Sequence, residues 1–474
     1  MNFDDFADRS VQVSLDLGAG YCDVRSESYS SKKAIIENGQ VEQCDSAIDA
    51  GIGIRILKNG VWSFCSVSNP GSFDIIREKI TDAINSTESF SNNIKFSKIK
   101  SHKAKIDYPI KKNPTLEELI KIGNECDSLI REKRNIIKST INLYFKTSSK
   151  YFVDSFGSKI NQNYTDTIVD LIATARDSGV TQSINITEGG RGGIEKITDE
   201  VNVLSVADEI ANKASNLVYA KPIKEEITTL VMNPDFVSLL THEILGHPSE
   251  ADRVLGKEMA WAGGAWWAGK LDEKVGSTEL NVFDDPSIDG TLGWYEYDDE
   301  GVESSRTNII EDGVLKRHLQ NTETSEIFNT APNANMRATS YKFMPLIRMA
   351  CTCIDKGDWK PDEIIKDVKS GYLISNMKIP SIDMRRYNWS ISCQYANKIE
   401  NGEISDLQRD VIVMGTAPEF FRSIDACGSD FTIRPITNCG KGDPMQSMMM
   451  GNGGPTIRAK ATVKSTGDAK NAQH

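Results

Sequence analysis

Asn233-Pro-Asp-Phe-Val-Ser-Leu-Leu-Thr-His-Glu-Ile-Leu-Gly-His-Pro-Ser-Glu-Ala-Asp252 is the stretch on which the reading of this chain turns. A helix start is written at its front. Asn233 can cap, Pro234 suits the first helical position, and Asp235 complements the positive end of the helix dipole. Phe236, Leu239, Leu240 and Ile244 then recur at helical spacing and define a packed face. His242, Glu243 and His247 lie towards the end of the helix. Two histidines with a glutamate directly after the first form a metal-hydrolase arrangement. In the familiar zinc version the histidines are four apart, about 40° from one another around the helix. Here they are five apart, about 140° on a straight helix, so a regular helix cannot aim both at one ion. Gly246 loosens the backbone, and Pro248 disfavours the α conformation at His247. The pattern therefore predicts a distorted last turn, either an i→i+5 π-type turn or an exit from the helix at Gly246.

A His-Glu pair on a helix is often only surface decoration. The chain, however, has five histidines in 474 residues, and two of them fall in this one turn. A catalytic zinc asks for three protein ligands and an open position. Glu250, Asp252 and a distant cysteine are the candidates for the third. Cys439 stands out, because Thr437-Asn-Cys-Gly-Lys-Gly-Asp-Pro444 is a glycine-flanked turn that leaves a thiolate uncrowded.

His-Glu-x-x-x-His with Glu250 and Asp252 behind it, then Cys439-Gly-Lys and Gly453-Gly-Pro455, resembles the TldD/PmbA metallopeptidases on their TldD side. Shorter pieces extend the resemblance: Gly51-Ile-Gly-Ile-Arg55, Gly60-Val-Trp-Ser-Phe64, Tyr297-Asp-Asp-Glu-Gly301, Gly313-Val-Leu315, Asn335-Met-Arg337 and Pro345-Leu-Ile-Arg348. The resemblance implies that His242, His247 and Cys439 hold one zinc ion and that Glu243 is the catalytic carboxylate activating a zinc-bound water. Glu250 and Asp252 fit better as partners that orient the imidazoles. It also implies peptide substrates bound extended, and a PmbA-like partner subunit lacking the metal motif, joined in a heterodimer with an enclosed site, with a homodimer as the other assembly. Two further readings stay open. A mononuclear iron enzyme would use His242, His247 and a carboxylate. A non-catalytic binding subunit would have no need of Glu243.

Composition bounds the rest. Hydrophobic content of 39% and charged content of 26% are globular values. A net charge of −12 argues against nucleic acid as the partner. The acidic opening Met1-Asn-Phe-Asp-Asp-Phe is no secretory signal, and no apolar run is long enough to span a bilayer. Nine cysteines without a Cys-x-x-Cys point to a reduced, cytoplasmic protein.

The fold class expected is α+β: an N-terminal α/β domain over 1–222, then a mostly antiparallel β-rich domain over 223–463 carrying the metal helix, with 464–474 a disordered tail. Val11 to Leu15 reads as an opening strand. Asn59-Gly60 is a hairpin signal, as is Asn401-Gly402. Phe73 to Ile84 has helical spacing. Lys98 to Asn113 reads as a linker or hinge, and Thr115-Leu-Glu-Glu118 as a capping box. Ile136 to Ile186 alternates with period two, an antiparallel pattern divided at Gly157 and Gly179. Gly189-Gly-Arg-Gly-Gly193 reads as a flexible joint, Asp199 to Leu217 as a helix, and Glu226 to Met232 as the strand that delivers the chain to the metal helix. Trp261, Trp266 and Trp267 suit either a lid or a tightly packed loop. Asp284-Asp285 and Asp298-Asp-Glu300 fit no calcium loop and read as solvated turns. Arg337 and Arg348 read as ion-pairing residues that could also meet a peptide carboxylate.

Overall fold

A computed structural model describes residues 3–92, 94–258 and 263–466. Its first half is built on a long-stranded sheet. Strands β1 (Tyr21–Glu37), β2 (Gln40–Lys58), β3 (Val61–Ser68), β4 (Lys103–Asp107), β5 (Ile136–Asp154), β6 (Lys159–Asp177) and β7 (Val180–Arg191) are its members. Their order is β3-β2-β1-β5-β6-β4, with β7 also on β6. Every pairing is antiparallel except β4 with β6. The hairpin turns follow from residues that tolerate positive φ: Asn59 and Gly60 sit at 55° and 71°. Asn38-Gly39, a pair the pattern reading passes over, closes β1 onto β2 in the same way, at 50° and 80°. Helices α1 (Phe3–Asp16), α2 (Phe73–Asn85) and α3 (Leu116–Arg131) complete the frame with a helix over Val203–Leu217. The first two cover the β1–β3 end through Val11, Ile76 and Ile80. The last two cover β5 and β6 through Leu119, Ile130, Ala207 and Ile210. Thr115 and Glu118 form the expected capping box.

In the second half, six of the described strands form one sheet and most of the rest an eight-stranded one. Strand Glu226–Met232 lies inside the larger sheet, parallel to Ser370–Ile382 and antiparallel to Ile457–Ser465. The largest apolar cluster collects between the two sheets and includes Phe236, Leu240, Ile244 and Met349. The metal helix runs through it, which is why its apolar face is so complete.

Several expectations are corrected. Val11–Leu15 is helical: Ala7, Val11 and Ser14 are buried at spacings of four and three residues, and that period outweighs the β-branched alternation. The 98–113 stretch contains β4. Gly189 to Arg191 is no flexible joint but the packed end of β7, where Arg191 pairs with Asp166 at 2.9 Å. Asp298, Asp299 and Glu300 are buried. Asp298 accepts the backbone N–H groups of Glu300, Val302 and Met336, while Asp299 meets Lys150 at 2.8 Å. Asp284 is buried too, and accepts from Asn335, Ala350 and Thr352. The final strand reaches Ser465; residues 467–474 of the expected tail lie outside the described residues. All nine cysteines are free.

The short pieces Gly51-Ile-Gly-Ile-Arg55 and Tyr297–Gly301 meet across the two halves. A Cβ on Gly51 would lie 2.2 Å from the Tyr341 ring, and one on Gly53 2.2 Å from the Tyr341 carbonyl oxygen, so only glycine admits this segment. Two residues on, Arg55 reaches Asp23 at 2.6 Å and Glu300 at 2.8 Å.

Candidate metal centre

The helix begins as its residues dictate. Asn233 accepts from the Phe236 N–H at 3.0 Å, and Pro234 occupies the first turn. Regular α geometry ends at Leu240. From Thr241 to Gly246 the backbone is a π-helix, and the His247 N–H bonds the His242 carbonyl. That i→i+5 bond joins the two histidines and places residues five apart on one face. The expected distortion is therefore present, although Gly246 serves it differently. Its φ and ψ of −67° and −60° are ordinary helical values. What excludes a side chain is Met349, whose sulfur would lie 1.9 Å from a Cβ there.

Pro248 has no N–H to give, so the Ile244 carbonyl four residues back lacks its usual donor. The Trp266 indole N–H fills the position at 3.3 Å, and Trp267 donates to the Pro248 carbonyl at 2.6 Å. Ser249 Oγ satisfies Leu245 O at 2.6 Å. Trp266 and Trp267 are both buried, so they belong to a packed loop that braces the turn. Trp261 lies outside the described residues.

Ligand atoms of His242, His247 and Cys439 all lie within 4.8 Å of one another, and all three residues are buried. The two rings stand at 77° with centroids 4.7 Å apart. Cys439 Sγ is 3.4 Å from His247 Nε2. The remaining ring nitrogens are turned away. His242 Nδ1 is 2.9 Å from Asn452 Oδ1, and His247 Nδ1 is 3.1 Å from Glu250 Oε2. Since both partners accept, each imidazole donates through Nδ1 and turns Nε2 inward, where it can serve as a ligand once it carries no proton. The arrangement can hold a tetrahedral cation with one position left open.

Cys439 arrives on strand Thr432–Lys441, paired with Gln446–Gly454, with a register irregularity between Ile436 and Cys439. Arg348, fully buried, donates to the Cys439 carbonyl and to Gln446 O at 3.2 Å. Arg337 likewise donates to Met349 O and Met449 O, at 2.7 and 3.0 Å. Both arginines therefore clamp backbone rather than pair with carboxylates. Burial opposes ionisation of the Cys439 thiol, but His247, His242 and Arg348 hold it well below its ordinary value. Against the same burial, the thiolate lifts His242 to about 9. Both shifts favour charge on the pair, and a cation held by these groups would take the place of a proton.

Glu250 is a supporting group, as expected. Its Oε2 also receives Arg253 Nε at 2.7 Å and lies 3.2 Å from Lys441 Nζ. Lys441, His247 and Arg253 outweigh burial and hold its carboxyl well below the usual range. Asp252 touches neither imidazole among the described residues; it pairs with Lys441 at 2.8 Å. Glu243 faces a cavity of about 570 Å³ together with both histidines and Cys439. Burial raises its proton affinity, but His242, Arg386 and His247 together keep it below the ordinary carboxyl value. Arg386 Nη1 donates to Glu243 Oε2 at 2.6 Å. Sequence reading missed Asn452 and Arg386. Asn452 lies one residue before the Gly453-Gly-Pro455 motif, a positional signal; Arg386 has none beyond its type.

Family models for the PmbA/TldA metallopeptidase C-terminal domain, domain 1 and central domain match residues 225–465, 22–89 and 110–218. The chain belongs to the PmbA/TldD metallopeptidase family. It is 32% identical to a metalloprotease of Methanocaldococcus jannaschii, with 96% of this chain and 98% of the relative covered. It is 27% identical to the zinc metalloprotease TldD homolog of Saccharolobus solfataricus, over 95% and 97% of the two chains. Among solved structures, TldE from Thermococcus kodakarensis shares the fold with a TM-score of 0.76 at 17% identity, over 97% of this chain and 100% of that one. A Thermotoga maritima protein described as a modulator of DNA gyrase gives 0.79 at 17%, over 98% and 100%. Membership makes this metallopeptidase chain an enzyme, and among its described residues no helix is long and apolar enough to cross a membrane.

Proposed function

We propose that this chain is a zinc-dependent peptidase acting on extended peptides or unfolded polypeptides. One zinc per chain would be held by His242, His247 and Cys439, with Glu243 as general base. The observation that carries this reading is the donor set: ligand atoms of two imidazoles and a cysteine sulfur within 4.8 Å, with both Nδ1 atoms already committed to Asn452 and Glu250. Two imidazoles and a thiolate suit zinc better than the oxygen-rich sets favoured by magnesium or calcium. When bound there, zinc polarises the scissile carbonyl and acidifies water.

The chain's own residues supply the rest. Glu243, an ionised carboxylate at the cavity wall, takes a proton from the attacking water and returns it to the leaving amine. Among the described residues strand Thr432–Lys441 pairs on one side only and ends its sheet, and its residues 434–440 line the cavity, so an added strand could lie beside Cys439. That supports substrates bound as extended backbone, with little demand on sequence. We assign the site to a unit spanning 223–463, the preceding 1–222 forming the other. The TldE likeness supports a related subunit as partner, in a heterodimer rather than a homodimer, and the nine free cysteines support a cytoplasmic location.

Glu243→Gln tests the reading directly. Zinc should remain at one per chain while cleavage of an unstructured peptide falls about 10²–10⁴-fold. Cleavage at the wild-type rate would show that Glu243 is not the base.

A further inference from the structure

Strands Ser370–Ile382 and Asn388–Glu400 are joined by a short connection held largely by Asp383. Asp383 accepts the N–H groups of Arg385, Tyr387 and Asn388 and the Asn388 amide. The Met384 carbonyl takes the Gly264 N–H at 2.9 Å. Inside this connection Arg386 has φ of +59°. Of the thirteen described non-glycine residues with positive φ, eleven are Asn, Asp or Ser, which tolerate this region, and only Ala334 and Arg386 are not. A long side chain is therefore retained at a backbone position that suits it poorly.

That side chain is buried and turned into the cavity shared with His242, Glu243, His247 and Cys439. One nitrogen, Nη1, meets Glu243 twice, at Oε2 (2.6 Å) and at the backbone carbonyl (3.1 Å). Oε1 of Glu243 has no partner among the described residues, so the carboxylate keeps one oxygen for a water proton. The guanidinium keeps a donor as well: Nη2, the other arm of the fork, makes no hydrogen bond among the described residues, whereas Nε is buried. A guanidinium fork can serve two oxygens at once, which an ammonium cannot do in fixed geometry.

We propose that Arg386 is a catalytic residue, clamping Glu243 through Nη1 while its free N–H meets the substrate carbonyl oxygen as that atom gains charge. It rests on the peptidase reading above and adds to it a cationic hydrogen-bond donor beside Glu243. The water oxygen bonds the carbonyl carbon, Glu243 takes the water proton, and the carbonyl electrons move onto oxygen beside Arg386. Collapse of the adduct breaks the C–N bond, and the proton held by Glu243 passes to the departing nitrogen. Nothing else is consumed.

Arg386→Gly is the informative variant, because glycine accepts the left-handed backbone and any loss then reflects the missing guanidinium. Arg386→Lys is its companion. With zinc content and thermal midpoint measured alongside, Arg386→Gly should retain one zinc per chain. Its kcat should fall about 10²–10³-fold, as for loss of a transition-state donor. KM should move by less than about three-fold, the signature of an interaction made only in the transition state. Millimolar guanidinium should restore part of the rate in Arg386→Gly and none in the wild type. Calorimetry gives the readout independent of turnover. Affinity for a phosphinic peptide that mimics the tetrahedral adduct should fall in step with kcat/KM, while affinity for a product peptide stays level.

A kcat within about three-fold of wild type, or equal losses for phosphinate and product peptide, would overturn the proposal. Zinc lost together with activity would overturn it too, since Arg386 would then only be supporting the π turn. A wild-type chain that cleaves no peptide would defeat the peptidase reading and this one with it. A wild type that cleaves, matched by Arg386→Gly, would defeat this one alone.

Discussion

Replacing Glu250 with glutamine removes one charge and almost no volume from a fully buried position, so its effect can be worked from three contacts. Oε2 is 3.1 Å from His247 Nδ1, 2.7 Å from Arg253 Nε and 3.2 Å from Lys441 Nζ. Side chains of Glu250, Arg253 and Lys441 are all 0% exposed, so water does not screen their attraction. Breaking such a buried pair costs about 3–5 kcal/mol. The metal-free protein should lose that much at neutral pH, read as a shift in denaturation midpoint. The pH dependence has a definite sign. Glu250 is held well below 4.5 in the folded chain, so its contribution is complete above the unfolded carboxyl value and disappears as pH falls through the folded one. The gap between wild type and variant should therefore close in acid. Metal affinity reports the other contact. Without a carboxylate on Nδ1, His247 is a weaker and less fixed donor, and such losses amount to about 10–100-fold, or about 1.4–2.8 kcal/mol. Competition against a chromogenic chelator measures it. A variant with wild-type midpoint and wild-type zinc affinity, or a gap that widens in acid, would refute the assignment of Glu250 as the group that orients His247.

Asn452→Leu should weaken zinc binding by a similar 10–100-fold, because it removes the acceptor that fixes the His242 tautomer; an unchanged dissociation constant in the same chelator assay would count against that role. Trp266→Phe keeps an aromatic ring but withdraws the indole N–H from Ile244 O, and the unpartnered carbonyl should cost about 1–3 kcal/mol in denaturant beyond the loss from the smaller ring. If the π turn depends on that brace, zinc dissociation should quicken as well, visible by stopped-flow with excess chelator.

Much of the centre was legible because its logic is local. The cap at Asn233, the spacing of His242 and His247, and Pro248 together forced a distorted turn, since five residues of regular helix cannot converge. The hairpins at Asn59 and Asn401 were likewise readable from residues that accept positive φ. Groups that act across the fold left no such trace. Asn452 is 210 residues from His242 and Arg386 is 143 from Glu243, and neither sits in a periodic pattern that would mark it. Asp298-Asp-Glu300 was misread for a related reason. A run of acids looks solvated until its partners are known, and the cations that meet Asp299 and Glu300, Lys150 and Arg55, come from the first sheet. Gly246 suggests a loosened backbone by its type alone, whereas what requires glycine there is Met349, more than a hundred positions on.

Those distant partners also explain why motifs weak in isolation recur together. Gly51 and Gly53 admit Tyr341, and Arg55 reaches Glu300. Next to Glu300, Asp298 holds the Met336 N–H, which sets the start of the Asn335-Met-Arg337 piece. Arg337 then clamps Met349 O and Met449 O, and Arg348 clamps Cys439 O. Met349 is the residue packed beneath Gly246 in the π turn. A continuous path of buried contacts thus runs from the first sheet to both sides of the metal centre. A thiolate and two imidazoles must converge within about half an ångström to bind one ion well. Among the described residues strand 432–441 has no strand paired on its outer side; Arg348 holds its Cys439 carbonyl, and Arg434 ties it to Asp235 at 2.6 Å and Glu188 at 2.7 Å. The first sheet is accordingly part of the rigidity of the candidate metal centre, and its buried charges are where a mutation far from the cavity would be felt at the sulfur.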